Sequence, residues 1–306
     1  MTDKSGSHPL ASVLTPDFLA SVTKARLPPN KGEKHDLSNV WNFLPDFESD
    51  GRRSAWWSAL VAISKIPLPE MPDMMSFLPS PTDASFPEQC LGLTLLVDQG
   101  PRLLCRGLDG RWTDTFFGVI ARQLAHSWLA LPAEQRPNAW ARWKDAGASL
   151  EYWILVHFFL SCPFVHSEIL DDQNVGLDLT EERRKVVEDL SGRTDSYRSK
   201  RADVLSDVLA FSRVARAGSP VGEDVTTQEW VFWSCMLMDV HWPIIRRFGR
   251  YPYRNLILGR QSTEEELEWL KETEHFGEAS PEVAVKVKED IAADRWTCLS
   301  REPMFN

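Results

Sequence analysis

The chain has 306 residues, with 44 Asp plus Glu against 34 Lys plus Arg, a net charge of −10 and 43% apolar residues. That length holds one large or two ordinary domains, and the composition is that of a globular protein with a full core, which excludes wholesale disorder, a collagen or a coiled-coil rod. The acidic balance argues against nucleic acid as a partner, which needs a basic face to displace counterions, and no apolar run reaches the roughly 18 residues that span a bilayer.

The N-terminal MTDKSGSHPL carries no apolar h-region, so no secretory signal is read there. Residues 1–34 are polar and read as a mobile or loosely docked arm, leaving 35–306 as one helical domain. A short helical patch is expected at Val40–Leu44, and a better one at Arg53–Ser64, where Trp56, Trp57, Leu60 and Ile63 recur at helical spacing. The six prolines between 67 and 87 suit neither a regular helix nor a central strand and predict a long loop at about 66–87.

Beyond that loop the pattern is helical throughout. Ser85 with Glu88 reads as a capping box opening a helix through Leu96, and Asp114 as the cap of Thr115–Leu131. Ser149 opens Leu150–Ser161, apolar nearly all round except for His157 and stopping before Pro163. Residues 180–217 read as a charged helix pair. Thr226 with Glu229 and Ser262 with Glu265 read as further capping boxes, and Ser280 with Pro281 opens the last helix, to about Arg295. No alternating Val/Ile/Thr stretch with hairpin turns occurs, so the expected class is all-α, with stacked antiparallel helices.

Five cysteines stand at least 15 residues apart, with no C-x-x-C and no zinc-finger spacing with histidine. The expectation is small core residues, no metal site, no cofactor and a cytoplasmic location. A surplus of Trp, 13 against 4 Tyr, means a bulky core, an aromatic-lined cavity, or both.

Three segments place polar residues at the ends of apolar helices. Leu93–Gly107 carries Asp98, Gln99, Arg102 and Arg106 around a Gly-Pro break. Cys162–Gln173 carries His166, Glu168, Asp171, Asp172 and Gln173. His241–Glu266 carries Arg246, Arg247, Arg250, Arg254 and Arg260 among Phe248, Tyr251 and Tyr253. Arginines are costly to bury unpaired. Two readings stand together: an Arg–carboxylate lattice that locks helix ends, or a cavity whose arginines hold an anionic or carbonyl-bearing ligand.

These segments resemble a widespread, mostly bacterial family of unknown function with a TPR-like helical fold. Asp98, Gln99, Pro101, Arg102, Arg106 and Gly107 match its first signature. Pro163, Phe164, His166, Ser167, Glu168, Asp172 and Gln173 match its second, and most of Arg247–Glu266 matches its third. Gly100, Leu103, Val165 and Tyr253 stand where the family has Phe, Asn, Glu and His. The resemblance implies a TPR-like arrangement of helices, and the substitutions suggest a trimmed, drier cavity.

His166 with Glu168, Asp172 and Asp98 forms the acid–base set, since a carboxylate orients an imidazole and raises its pKa. Arg102, Arg106, Arg247, Arg250, Arg254, Tyr253, His241, Trp153 and Trp233 are the candidate substrate contacts. The run Asp171-Asp172 lacks the second polar cluster that diphosphate–metal chemistry needs. The expected function is a cofactor-independent enzyme acting on a largely apolar, oxygenated small molecule by isomerisation, cyclisation or dehydration. The alternative is a non-catalytic helical module that binds a peptide or protein.

Overall fold

The computed structural model describes residues 8–37, 52–222, 224–296 and 298–299. The patch expected at Val40–Leu44 lies outside these residues. Every regular element among the described residues is helical, and none is a strand, as the patterning requires. None of these helices is long and apolar enough to cross a membrane. The described residues divide into two compact units rather than one domain: 8–31, 52–147 and 298–299 belong to the first, 32–37, 148–222 and 224–296 to the second.

The first unit begins with α1 (Pro16–Arg26), capped by Thr15, whose hydroxyl accepts from the Phe18 amide at 3.2 Å. Leu19, Val22, Thr23 and Ala25 are all buried, so this segment is part of the core and not a loosely docked arm. It crosses α3 (Phe86–Thr94) at Gly92, where an added Cβ would lie 2.1 Å from the Leu19 carbonyl oxygen. The Thr23 hydroxyl donates to the Glu88 carbonyl at 2.8 Å beside that crossing. Close approach of two backbones is the reason for glycine here.

Between these helices lie α2 (Arg52–Ser64) and the Pro-rich stretch, which folds into two short 3-10 turns, Leu68–Glu70 and Met74–Phe77. The Ser85–Glu88 box does not form. Asp83 instead accepts from the Ser85 amide at 2.8 Å and hydroxyl at 2.7 Å.

The Gly-Pro pair does not break the chain into a loop. A π-helical turn, Leu95–Gln99, precedes it, and α4 (Gly100–Leu104) continues directly from that turn with Pro101 as its second residue. A second π turn, Thr113–Phe117, joins α5 (Gly110–Trp112) to α6 (Gly118–Leu129), so Asp114 sits inside a continuous helix instead of capping one. The short α7 (Trp140–Asp145) ends the unit's main run.

The second unit is built on α8 (Leu150–Val165), α9 (Leu170–Ser191) and α12 (Thr227–Asp239), which pack against one another. The Ser149 cap is as read from sequence, but α8 runs through Pro163 to Val165. The Ser161 hydroxyl returns to the His157 carbonyl at 2.7 Å in that last stretch. Short helices α10 (Arg201–Ser206) and α11 (Ala210–Ala217) follow α9. The Thr226–Glu229 capping box is present as predicted, whereas the next one falls a residue later, at Thr263 and Glu266. The remaining helices are α13 (Trp242–Phe248), α14 (Glu264–Glu272) and α15 (Pro281–Ala292). Four cysteines, Cys90, Cys105, Cys162 and Cys235, are buried thiols.

Gly92→Ala is expected to destabilise the chain by about 1–3 kcal/mol or more, because the blocking atom is backbone and cannot rotate away. A lowered urea midpoint with unchanged slope checks this, and an unaltered midpoint would contradict the crossing.

Candidate functional site

Two of the three signature segments meet in the second unit, at the junction of α8, α9 and the loop after α13. The turn after α8 is held to α9 by Ser167, whose hydroxyl donates to Asp172 at 2.6 Å and accepts from the Ile169 amide at 3.1 Å. The Gln173 amide donates to the carbonyls of Val165 and Ser167, each at 2.7 Å, and meets the Tyr251 hydroxyl at 3.0 Å. That hydroxyl donates to the Val165 carbonyl at 2.5 Å. Tyr251 is fully buried, and burial together with neighbouring Tyr253 pushes its phenol well above the ordinary value, so it stays protonated.

Glu168 is not aimed at His166. Its two oxygens are taken by the Arg260 fork, at 2.6 and 3.0 Å, and by the Tyr251 amide at 2.9 Å, with Arg254 at 3.8 Å. Asp172 likewise serves the turn through Ser167. The Glu168 carboxylate expected beside His166 is instead committed to a lattice that shapes the turn. Arg250 meets Glu266 through two bonds, at 2.6 and 2.8 Å, and also donates to the Gln261 carbonyl. Glu266 at the same time closes the capping box of α14, and the Arg250 guanidinium holds its carboxyl below the usual range. Arg247 pairs with Glu265 at the surface.

What this lattice leaves beside it is a cluster of rings. Arg254 lies over the faces of Tyr251 and Tyr253, at 4.3 and 5.7 Å, and donates to the His166 carbonyl at 2.9 Å. His241 lies 4.3 Å from the Phe211 ring, which in turn stacks on Tyr253 at 6.0 Å. His241 Nδ1 is 2.8 Å from the Leu237 carbonyl, an obligate acceptor, so Nδ1 carries the proton and Nε2 the lone pair. Burial, and then the nearby His166, push its pKa down to about 3, with Arg254 acting in the same direction. His241 is thus a neutral imidazole of fixed tautomer. His166, Tyr253, His241 and Arg254 come together here.

In the first unit, Asp98 lies on the Leu95–Gln99 π turn, bonded by Gln99 at 2.7 Å. Arg102 reaches Asp114 at 2.9 Å and Asp98 at 3.9 Å. Arg106 folds back onto the Arg102 carbonyl at 2.9 Å. Trp153 is fully buried against His157, and Trp233 packs on Trp230, so both are interior side chains of the second unit.

A second lattice had gone unread. Arg184, almost without exposure, bonds Asp195 at 2.6 Å, Asp239 at 3.0 Å and Glu181 at 3.0 Å. Asp239 also receives Arg201 at 3.0 Å and the Thr180 hydroxyl at 2.8 Å. The available signal was the recurrence of Gly176, Thr180, Arg183, Arg184 and Val187 on one face of a helix that otherwise reads as charged and solvated.

The chain belongs to a family described as a bacterial protein family of unknown function (DUF924), whose sequence model matches residues 76–274. No curated protein and no solved structure matches it.

Asp239→Asn is expected to cost about 3–5 kcal/mol, since it leaves Arg184 and Arg201 short of a buried counter-charge, and a urea denaturation curve reads this directly. A pH dependence follows from the buried imidazoles. His241 and His157 both have folded values lowered by burial from 6.5, His241 to about 3. The unfolded chain takes up those protons as pH falls through 6.5 while the fold does not, so stability is complete above that value and declines below it. The denaturation midpoint at about pH 5 is expected to lie below that at about pH 7, with His241→Phe flattening the slope by up to about 1.4 kcal/mol per pH unit.

Proposed function

We propose that the chain is a cofactor-independent enzyme for a largely apolar, oxygen-bearing small molecule, with the second unit's His166–His241–Arg254 cluster as its chemical centre. The observation that carries this reading is His241 itself. It is a neutral imidazole whose one N–H is committed to Leu237, set beside a second histidine and a buried guanidinium among Phe211, Tyr251 and Tyr253. Such a set serves proton transfer. His166, half-buried at the end of α8, exchanges a proton with the substrate, the Nε2 lone pair of the permanently neutral His241 accepts a hydrogen bond that orients it, and Arg254 supplies standing positive charge for a developing oxyanion. Aromatic faces favour an apolar substrate and temper a developing cation. Isomerisation, cyclisation or dehydration suits this equipment.

A second reading, a helical module that binds a peptide, is favoured by a groove of about 440 Å³ on the same unit. Val208, Phe248 and Trp269 line it together with Glu265, Glu268, Glu272 and Arg247, and this net acidic lining suits a basic amphipathic segment.

The test is turnover of a panel of apolar ketones, enones and tertiary alcohols by the wild type, His166→Ala and His241→Gln, followed by mass spectrometry. At least one compound is expected to be converted, with each variant slower by about 100-fold or more and its melting temperature within about 4 °C of the wild type. Equal turnover in all three proteins would reject the assigned roles. No turnover, combined with capture of a basic amphipathic peptide that Glu268→Lys abolishes, would favour the module.

A further inference from the structure

About two and a half turns along α8 from His166, by the spacing of an α-helix, lies a different group of polar side chains. Arg183 on α9 is entirely buried, and none of its three guanidinium nitrogens has a hydrogen-bond partner. The carboxylates of the adjoining Arg184 lattice are committed: Asp195 and Asp239 belong to Arg184, Glu181 is shared by Arg184 and Arg198, and Glu182 turns toward His157. Its neighbours are the face of Phe158, 5.6 Å from the guanidinium carbon, and the Cys235 thiol. That thiol cannot supply the missing charge. Burial raises it, although Arg183 and Arg184 pull the other way, and it lies 3.6 Å from the Thr180 carbonyl.

The other face of the problem is a second orphan donor. Trp230 on α12 is fully buried, its ring 6.1 Å from the same Phe158, and its indole N–H has no acceptor. His157 on α8 is buried as well. Its Nε2 has no hydrogen-bond partner, the nearest carboxylate oxygen, on Glu182, standing 3.7 Å away. Two helices, α9 and α12, thus deliver donors without acceptors to one phenyl ring of α8. A buried guanidinium is costly without a compensating anion, and a buried N–H without an acceptor adds to that cost.

We propose that Arg183 and Trp230 form a binding site for the carboxylate of a small apolar acid, held between α8, α9 and α12. The planar guanidinium fork matches a carboxylate in two parallel bonds. A single negative charge balances the single uncommitted positive one, whereas a dianionic phosphate would leave net charge among aromatic rings. Phe158 and Trp230 receive the apolar remainder of the acid. The inference stands independently of the His166–His241 reading, because it uses none of that cluster's residues.

The test is a crystal structure of the full chain grown in sodium benzoate, with thermal unfolding of the wild type, Arg183→Met and Trp230→Phe in benzoate against sodium chloride at equal ionic strength. The expected density is an oxyanion, benzoate or one carried through purification, in forked contact with Arg183. The expected melting curves show a saturable benzoate shift in the wild type that Trp230→Phe weakens and Arg183→Met loses. Ordered water alone at the guanidinium, or a protein carboxylate turned onto it, overturns the proposal. A benzoate shift of equal size in Arg183→Met overturns it too, by placing the anion elsewhere. Should Arg183→Met fail to fold, the density and the Trp230→Phe curve still decide.

Discussion

A guanidinium taken out of water must meet a carboxylate, and in the second unit that requirement fixes where distant pieces of chain come to rest. Glu168 brings Arg260, Arg254 and the Tyr251 backbone to the end of α8 across more than 80 residues of sequence. Asp239 does the same for Arg184 and Arg201 at the end of α12. Each carboxylate is shared by several donors, so neither lattice separates into independent pairs. The chemistry assigned to His166 and His241 rests on this arrangement, since Arg254 touches the His166 backbone and sits on the Tyr251 ring that Gln173 positions.

The two lattices differ in exposure, and that decides what each can contribute. Around Arg184 the two aspartates, Asp195 and Asp239, are shut away from water while Glu181 reaches it in part, so screening there is weak and loss of either aspartate is severe. Around Arg250 and Arg247 the side chains reach solvent, and the pairs serve mainly to orient the capping residue Glu266 and the start of α14. The surface arginines of the third signature thus stabilise a helix terminus, and the buried one, Arg254, is left as the cation of the ring cluster.

Helix content was legible because apolar residues recur at helical spacing and because caps such as Ser149, Thr226 and Ser280 bracket the runs. The ring cluster was legible in part: His166, His241, Arg254 and Tyr253 lie in two motif-bearing segments. The function of Glu168 was not, since sequence adjacency to His166 suggested a partner while Arg260, 92 residues away, takes both its oxygens. The spacing reads Pro163 as a stop, yet a proline in the last turn of α8 removes a single backbone bond, the one to the Phe159 carbonyl, and the helix continues to Val165. The π turns at Leu95–Gln99 and Thr113–Phe117 leave no compositional mark at all, because they differ from an α-helix by one residue of register.

The seating of α1 on α3 has a bearing on how the family itself is delimited. The matched stretch begins at residue 76, yet the backbone groove at Gly92 is roofed by a helix some fifty residues upstream of that boundary. A protein cut to the shared stretch would bare Leu91, Leu93 and the glycine notch to water. The leading helix is therefore a lid of the hydrophobic interior that the common signature depends on, and shared motifs alone do not mark out an autonomous folding unit.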